Sequence, residues 1–213
     1  MRLKDPVSSL THYFGAVCAV LFGIPLIIRG FRGNTTTGTA MLIFVLGMLA
    51  LYTASGTYHA IASTPRVNRM LKKWDHSMIF VLIAASYTPI CMVSLGNRIG
   101  YIMLITVWTV AIIGILMKMI IVYHPKWISS VLYIAMGWIC IFQVRAVYAA
   151  LGLRGFLWLV GGGIMYTVGG VIYALKLKML NRKNSLWGSH EIFHIFVLLG
   201  TLCHFIMMWK YIC

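Results

Sequence analysis

Long apolar stretches are the feature that most constrains this chain. Seven runs of about twenty residues, nearly free of acidic and basic side chains, follow one another along it. A helix of that length can cross the hydrocarbon core of a bilayer. We therefore predict an all-α membrane protein, a bundle of seven transmembrane helices, with spans near residues 9–28, 41–62, 77–95, 99–122, 128–149, 156–177 and 191–212.

The overall composition supports the same class. The chain has 213 residues, of which 61% are hydrophobic and 10% are charged. Soluble domains are about 45–50% apolar and about 25% charged, so this chain has too little polar surface to face water on all sides. The polar segments between the runs are short, and we predict a single transmembrane domain over residues 1–213.

The charge of the chain is strongly positive, with 18 basic and three acidic residues. The basic residues cluster between the apolar runs, which is typical of loops that contact anionic lipid headgroups and excludes a nucleic-acid partner. Lys118 and Arg145 lie near span ends, where such side chains can snorkel. Twelve of the 18 fall on one side, which predicts a cytoplasmic N-terminus and an external C-terminus: Arg2, Lys4, Arg66, Arg69, Lys72, Lys73, Lys118, Lys126, Lys176, Lys178, Arg182 and Lys183.

Ionisable side chains at the span ends indicate a functional site, because such groups are costly in lipid. Asp5 lies in the N-terminal tail, whereas Asp75 and Glu191 each stand beside a histidine. The predicted topology brings His59, Asp75 and the His190/His194 pair to one depth, near the inner ends of the second, third and seventh spans. One site is therefore predicted at the cytoplasmic ends of three helices.

The spacing of these residues favours a metal. His190 and His194 are four apart and share a helix face, so that His59 completes three imidazoles for a tetrahedral zinc with one water. Asp75 could hold and deprotonate that water, and Ser55, one turn deeper than His59, could steady a developing oxyanion. Iron or manganese would also suit this ligand set. The competing interpretation is that each histidine is interfacial, with its tip among headgroups.

His190 to His194 also match the H-E-x-x-H pattern of zinc proteases, in which the glutamate is the general base. No carboxylate follows Glu191, and His204 lies ten residues past His194, roughly 15 Å along a helix. A third protease ligand is therefore missing. Glu191 is also well placed to stabilise a helix N-terminus, so a membrane-embedded protease is the weaker alternative.

Six short motifs follow one another in order along nearly the whole chain: Asp5-Pro6-Val7-Ser8-Ser9-Leu10-Thr11-His12, Ser55-x-x-x-His59, Trp74-Asp75-His76, Ala85-Ser86-Tyr87-Thr88-Pro89, Met136-Gly137-Trp138 and His190-Glu191-Ile192-Phe193-His194. Together they resemble the haemolysin III family of small bacterial membrane proteins. That family is similar to the progestin and adiponectin receptor family and, more distantly, to the alkaline ceramidases.

The resemblance implies seven helices with the N-terminus inside, and a zinc held by His59, His190 and His194. It also implies Asp75 near a water on that zinc, with Ser55 in support. Many relatives carry Glu-x-x-Asn where this chain has Asp5-Pro6-Val7-Ser8. His12 could be a gate or an outer-shell partner of the site, but we expect an interfacial histidine.

Three functions follow as hypotheses. The first is a zinc-dependent hydrolase of a lipid amide or ester, with membrane lipid as the substrate and catalysis by Asp75 and Ser55. The second is a non-enzymatic sensor or receptor with structural zinc, and the third is a cytolysin, although the span centres supply little polar lining for a pore. We expect a multi-pass protein of the bacterial plasma membrane, and the oligomeric state stays open.

Overall fold

The structure is a computed structural model that describes residues 4–120, 126–175 and 188–213. Every regular element in these ranges is helical. The α-helices are Pro6–Gly33 (α1), Thr35–Ala60 (α2), Pro65–Pro89 (α3), Arg98–Ile120 (α4), Lys126–Gly137 (α5), Val144–Leu175 (α6) and Ser189–Met207 (α7). A π-helical segment, Ile90–Leu95, extends α3, a 3-10 segment, Ile139–Gln143, precedes α6, and a second π-helical segment, Met208–Ile212, ends the chain.

Within the described ranges, six helical stretches are long and apolar enough to cross a membrane. They are Pro6–Gly33, Thr35–Ala60, Pro65–Leu95, Arg98–Ile120, Trp127–Leu175 and Ser189–Ile212. The prediction of an all-α, multi-pass membrane protein is confirmed. The predicted connectors at His124-Pro125 and at Asn181 to Ser185 lie outside the described residues, as do Arg2, Lys176, Lys178, Arg182, Lys183 and the side chain of Lys126.

The stretch Trp127–Leu175 is interrupted at Gly152, inside the connector that the sequence predicts there. Gly152 has φ 64° and ψ 172°, a conformation that glycine adopts without a steric penalty. On either side of it, Trp138 Nε1 donates to Thr167 Oγ1 at 2.9 Å, and Ile134 packs against Gly170. In each of these pairs, one residue precedes Gly152 by nearly as many positions as the other follows it. The two halves of the stretch therefore run antiparallel.

Helix α3 begins earlier than predicted. Proline suits the first position of a helix, and Thr64 accepts a hydrogen bond from the backbone N–H of Val67 at 3.4 Å. The first turns of α3 are polar, and they precede the apolar run from which the span was predicted. Asp75 therefore lies in the third turn of α3, whereas the predicted span begins only at residue 77.

The core lies between α1, α2 and α3 and between α6 and α7, which form the largest interhelical contacts. Gly47 of α2 allows α3 to approach closely, because a Cβ there would lie 2.5 Å from the Cβ of Ala85. Large apolar side chains such as Leu21, Phe22 and Ile105 remain exposed, as expected where lipid is the solvent. This packing brings the C-terminal end of α2 together with the N-terminal parts of α3 and α7.

Candidate metal centre

Three histidines converge between α2 and α7. His59 Nε2 lies 3.0 Å from His190 Nε2, which lies 3.2 Å from His194 Nε2, and the possible ligand atoms of all three fall within 4.8 Å of one another. Zinc–nitrogen bonds of 2.0–2.1 Å in a tetrahedron place neighbouring nitrogens about 3.3 Å apart. The triad can therefore hold one metal ion, as the sequence predicts for these residues.

The chemistry of the donors also fits a cation. His59 and His194 are 3% and 1% exposed, and the Nε2 atoms of all three rings lie close together. In a neutral imidazole, Nε2 is either a hydrogen-bond donor or an acceptor, so three such nitrogens cannot all be satisfied by one another. A metal cation instead accepts a lone pair from each of them. The donor set is therefore better satisfied by a bound metal than by mutual hydrogen bonds.

Asp5 is a site residue that the sequence reasoning missed by placing it in the tail. Its Oδ2 lies 2.9 Å from His59 Nδ1, and its backbone N–H donates to the His59 carbonyl at 2.9 Å. A carboxylate on the far nitrogen of a metal-binding histidine holds the ring in the tautomer that presents Nε2. The sequence contains one signal for a role of Asp5: the chain has only three acidic residues, so each of them is a candidate site residue.

We expect Asp5→Ala to weaken metal binding by about 10- to 100-fold, the usual loss when an outer-shell partner of a histidine ligand is removed. Competition with a chromophoric chelator measures the affinity. Asp5→Glu, which keeps a carboxylate, is the control and should stay close to wild type. An unchanged affinity in Asp5→Ala would show that the contact with His59 does not orient a ligand.

His12 is buried, at 2% exposure, so the expectation of an interfacial histidine is wrong. Its ring stacks on that of His194, with centroids 3.8 Å apart and an interplanar angle of 17°. Next to it, Ser9 Oγ donates to the Gly56 carbonyl at 3.1 Å. The first turns of α1 therefore pack directly over the histidine triad. The interpretation of His12 as an interfacial residue did not include this contact.

Glu191 stabilises a helix N-terminus, as predicted. Its Oε2 accepts from the backbone N–H of Gly188 and its Oε1 from Ser8 Oγ, both at 2.9 Å. Both carboxylate oxygens are engaged in structural hydrogen bonds, which argues against a general base of the protease kind. His204 stands apart from the triad, with Nε2 3.4 Å from the Leu159 carbonyl.

Asp75 and Ser55 lie on one wall beside the triad. They are 5% and 1% exposed. Both line the same cavity as His190 and His194. The structure thus brings together all five residues that the sequence singles out, and the only three carboxylates of a chain with net charge +15 lie in this region.

The cavity beside the triad has one polar end and a long apolar body. Its polar lining includes Asp75, His190 and His194, and Ile90 also lines it. Asp75 and Ile90 are fifteen positions apart on one continuous helical stretch, which corresponds to about 22 Å. Most of the wall between them is aliphatic or aromatic, including Ile79, Ile83, Val144, Val147, Phe156 and Val160.

Comparison with known proteins places these features in a family context. Residues 2–205 match the family described as haemolysin-III related. Hemolysin-3 of Bacillus cereus is 32% identical over 210 residues, covering 98% of this chain and 92% of that protein. The Hemolysin-3 homolog of Bacillus subtilis (strain 168) is 33% identical over 203 residues, 95% of this chain and 91% of that protein. The human monocyte to macrophage differentiation factor is 25% identical over 177 residues, 80% of this chain and 69% of that protein.

Proposed function

This chain belongs to the haemolysin III family, and we propose that it is a zinc-dependent hydrolase of a lipid amide or ester. One observation carries the proposal. Three imidazole nitrogens at metal-binding separation stand beside a buried carboxyl, at the polar end of an apolar cavity. A metal-assisted hydrolase of an amphiphile needs each of these parts in this order.

His59, His190 and His194 would hold the zinc, which when bound supplies a Lewis acid that polarises a carbonyl and activates water. Asp75 accepts the proton of the attacking water and returns it to the departing amine or alkoxide. Ser55 donates to the carbonyl oxygen as negative charge develops there. Asp5 keeps His59 in the ligating tautomer.

The apolar body of the cavity supports an acyl chain as the part of the substrate that binds there. Its aliphatic wall runs for about 22 Å from Asp75 toward Ile90, so it offers an acyl chain a continuous apolar lining. The carbonyl that joins the chain to its headgroup would then lie beside Asp75 and the triad.

We further propose seven crossings with a cytoplasmic N-terminus. The stretch Trp127–Leu175 has 49 residues and would be about 73 Å long as one helix, against a hydrocarbon core of about 30 Å. Antiparallel packing across Gly152 supports two crossings there, which brings six candidate stretches to seven spans. The basic residues then favour the N-terminus inside and the C-terminus outside, in the plasma membrane of a bacterium.

A second candidate function is a sensor or receptor in which the metal is structural. The observation that favours it is that the ligands come from two helices, so that an ion would tie α2 to α7. Lytic activity is the third candidate, suggested only by the names of the bacterial relatives. Single-channel recording in bilayers separates a pore from both other candidates.

Reconstituted protein, incubated with N-acyl and O-acyl lipids, tests the hydrolase proposal. We expect release of fatty acid that a chelator abolishes and added zinc restores. If neither class of lipid is cleaved, while His194→Ala protein folds and keeps the cellular activity of the wild type, the proposed enzyme activity is wrong.

A further inference from the structure

Lys118 does not snorkel to the membrane surface as its position near a span end predicts. It lies in the last turn of α4 with only 7% of its surface exposed. Its ammonium donates to Ser129 Oγ and stands 5.9 Å from the ring centroid of Tyr133. A lysine is thus held inside the protein beside the start of α5.

No carboxylate neutralises this ammonium. The three acidic side chains of the chain lie around the histidine triad, and the ion pairs in the described ranges all involve Asp5. The charged side chain that approaches from α3 is a second cation, since Lys73 Nζ donates to the carbonyl of Met119, next to Lys118. A buried cation without an anion is strongly destabilising, so this position is suited to an anion.

The hydrogen bond from Lys118 also sets the role of Ser129. An ammonium has donors and no acceptor, so the Ser129 oxygen accepts and its own hydrogen remains to be donated. Ser129 and Ser130 are 5% and 4% exposed, and both line the same cavity as Asp75. They also lie in the first turns of the twelve-residue helix α5, where the helix dipole favours negative charge.

We propose that Lys118, Ser129 and Ser130 form a subsite for an acidic headgroup, a phosphate or a carboxylate, of the amphiphile whose acyl chain fills the cavity. This inference rests on the proposed function for the acyl chain and adds the substrate class, an anionic lipid. The hydroxyl of Ser129 donates to the headgroup, and the ammonium of Lys118 neutralises it. Tyr133, one turn from Ser129, lines the same cavity, and its hydroxyl donates to the carbonyl of His76, the residue after Asp75, at 2.9 Å.

Binding of two ether lipids tests the subsite without any turnover. A 1-O-alkyl glycerol 3-phosphate and the 1-O-alkyl glycerol of the same chain length differ only in the acidic group, and neither carries an acyl ester or acyl amide that the proposed hydrolase could cleave. We expect purified wild-type protein to bind the phosphate at least tenfold more tightly. Lys118→Met and Ser129→Ala should each lower that ratio toward one, because the charge-assisted contacts are lost, whereas Lys118→Arg and Lys210→Met should keep it.

Inorganic phosphate distinguishes the source of the anion. If free phosphate at millimolar concentration competes with the phosphate lipid, the subsite recognises the acidic group alone. If free phosphate does not compete, binding of the acidic group needs the attached alkyl chain. The proposal is overturned if wild type shows no preference for the phosphate, or if Lys118→Met and Ser129→Ala keep the wild-type ratio. If the wild type prefers the phosphate lipid as expected but hydrolyses no lipid, the result contradicts the proposed enzyme activity and leaves the anionic subsite supported.

Discussion

Replacement of His194 by alanine is expected to abolish metal binding. The purified wild-type protein should carry about one ion per chain, and the variant less than about a tenth of that, because a tetrahedral site loses one of three protein ligands and the i, i+4 pair is broken. The melting temperature should fall as well, since a ligand at about a thousand times its Kd stabilises the folded state by about 4 kcal/mol. Elemental analysis and thermal unfolding measure the two effects.

The matched control is His204→Asn, because His204 is also a buried histidine of α7 and lies outside the triad. We expect it to keep a full complement of metal. A chelator should lower the melting temperature of the wild type and of His204→Asn, but not that of His194→Ala. Metal retained at the wild-type level in His59→Ala, His190→Ala and His194→Ala would place the ion elsewhere.

Asp75→Asn is expected to lower the rate of lipid hydrolysis by about 10²- to 10⁴-fold, the usual contribution of a general base. The amide of asparagine has nearly the size and shape of the carboxyl group, so the shape of the site is kept while the proton acceptor is lost. Metal content should stay at the wild-type level, since Asp75 is not a member of the triad. Fatty-acid release at saturating substrate gives the rate.

Trp74→Phe is a suitable control for Asp75→Asn, since Trp74 precedes Asp75 on α3 but is 55% exposed. Its rate should match that of the wild type. If Asp75→Asn hydrolyses lipid within about threefold of the wild type, Asp75 is not the proton acceptor. If the wild type shows no hydrolysis and the Asp75→Asn variant keeps the cellular function, the results support a sensor with structural metal.

Much of the fold and of the site could be predicted from the sequence because lipid imposes simple rules on it. A span needs an apolar run of fixed length, so the helices and the depths of their polar residues can be read directly. His59, Asp75 and the His190/His194 pair appear at one depth for this reason, and the helix period alone brings His190 and His194 to one face.

The lateral arrangement of the helices was decided by the tertiary structure. An apolar run in lipid is hydrophobic on all sides, so its pattern does not say which face meets which neighbour. The contact of Asp5 with His59, the stacking of His12 on His194, and the burial of Lys118 beside Ser129 all depend on such neighbours. The sequence by itself determined seven apolar runs and a histidine-rich depth, whereas only packing between helices decided which side chains surround the three histidines.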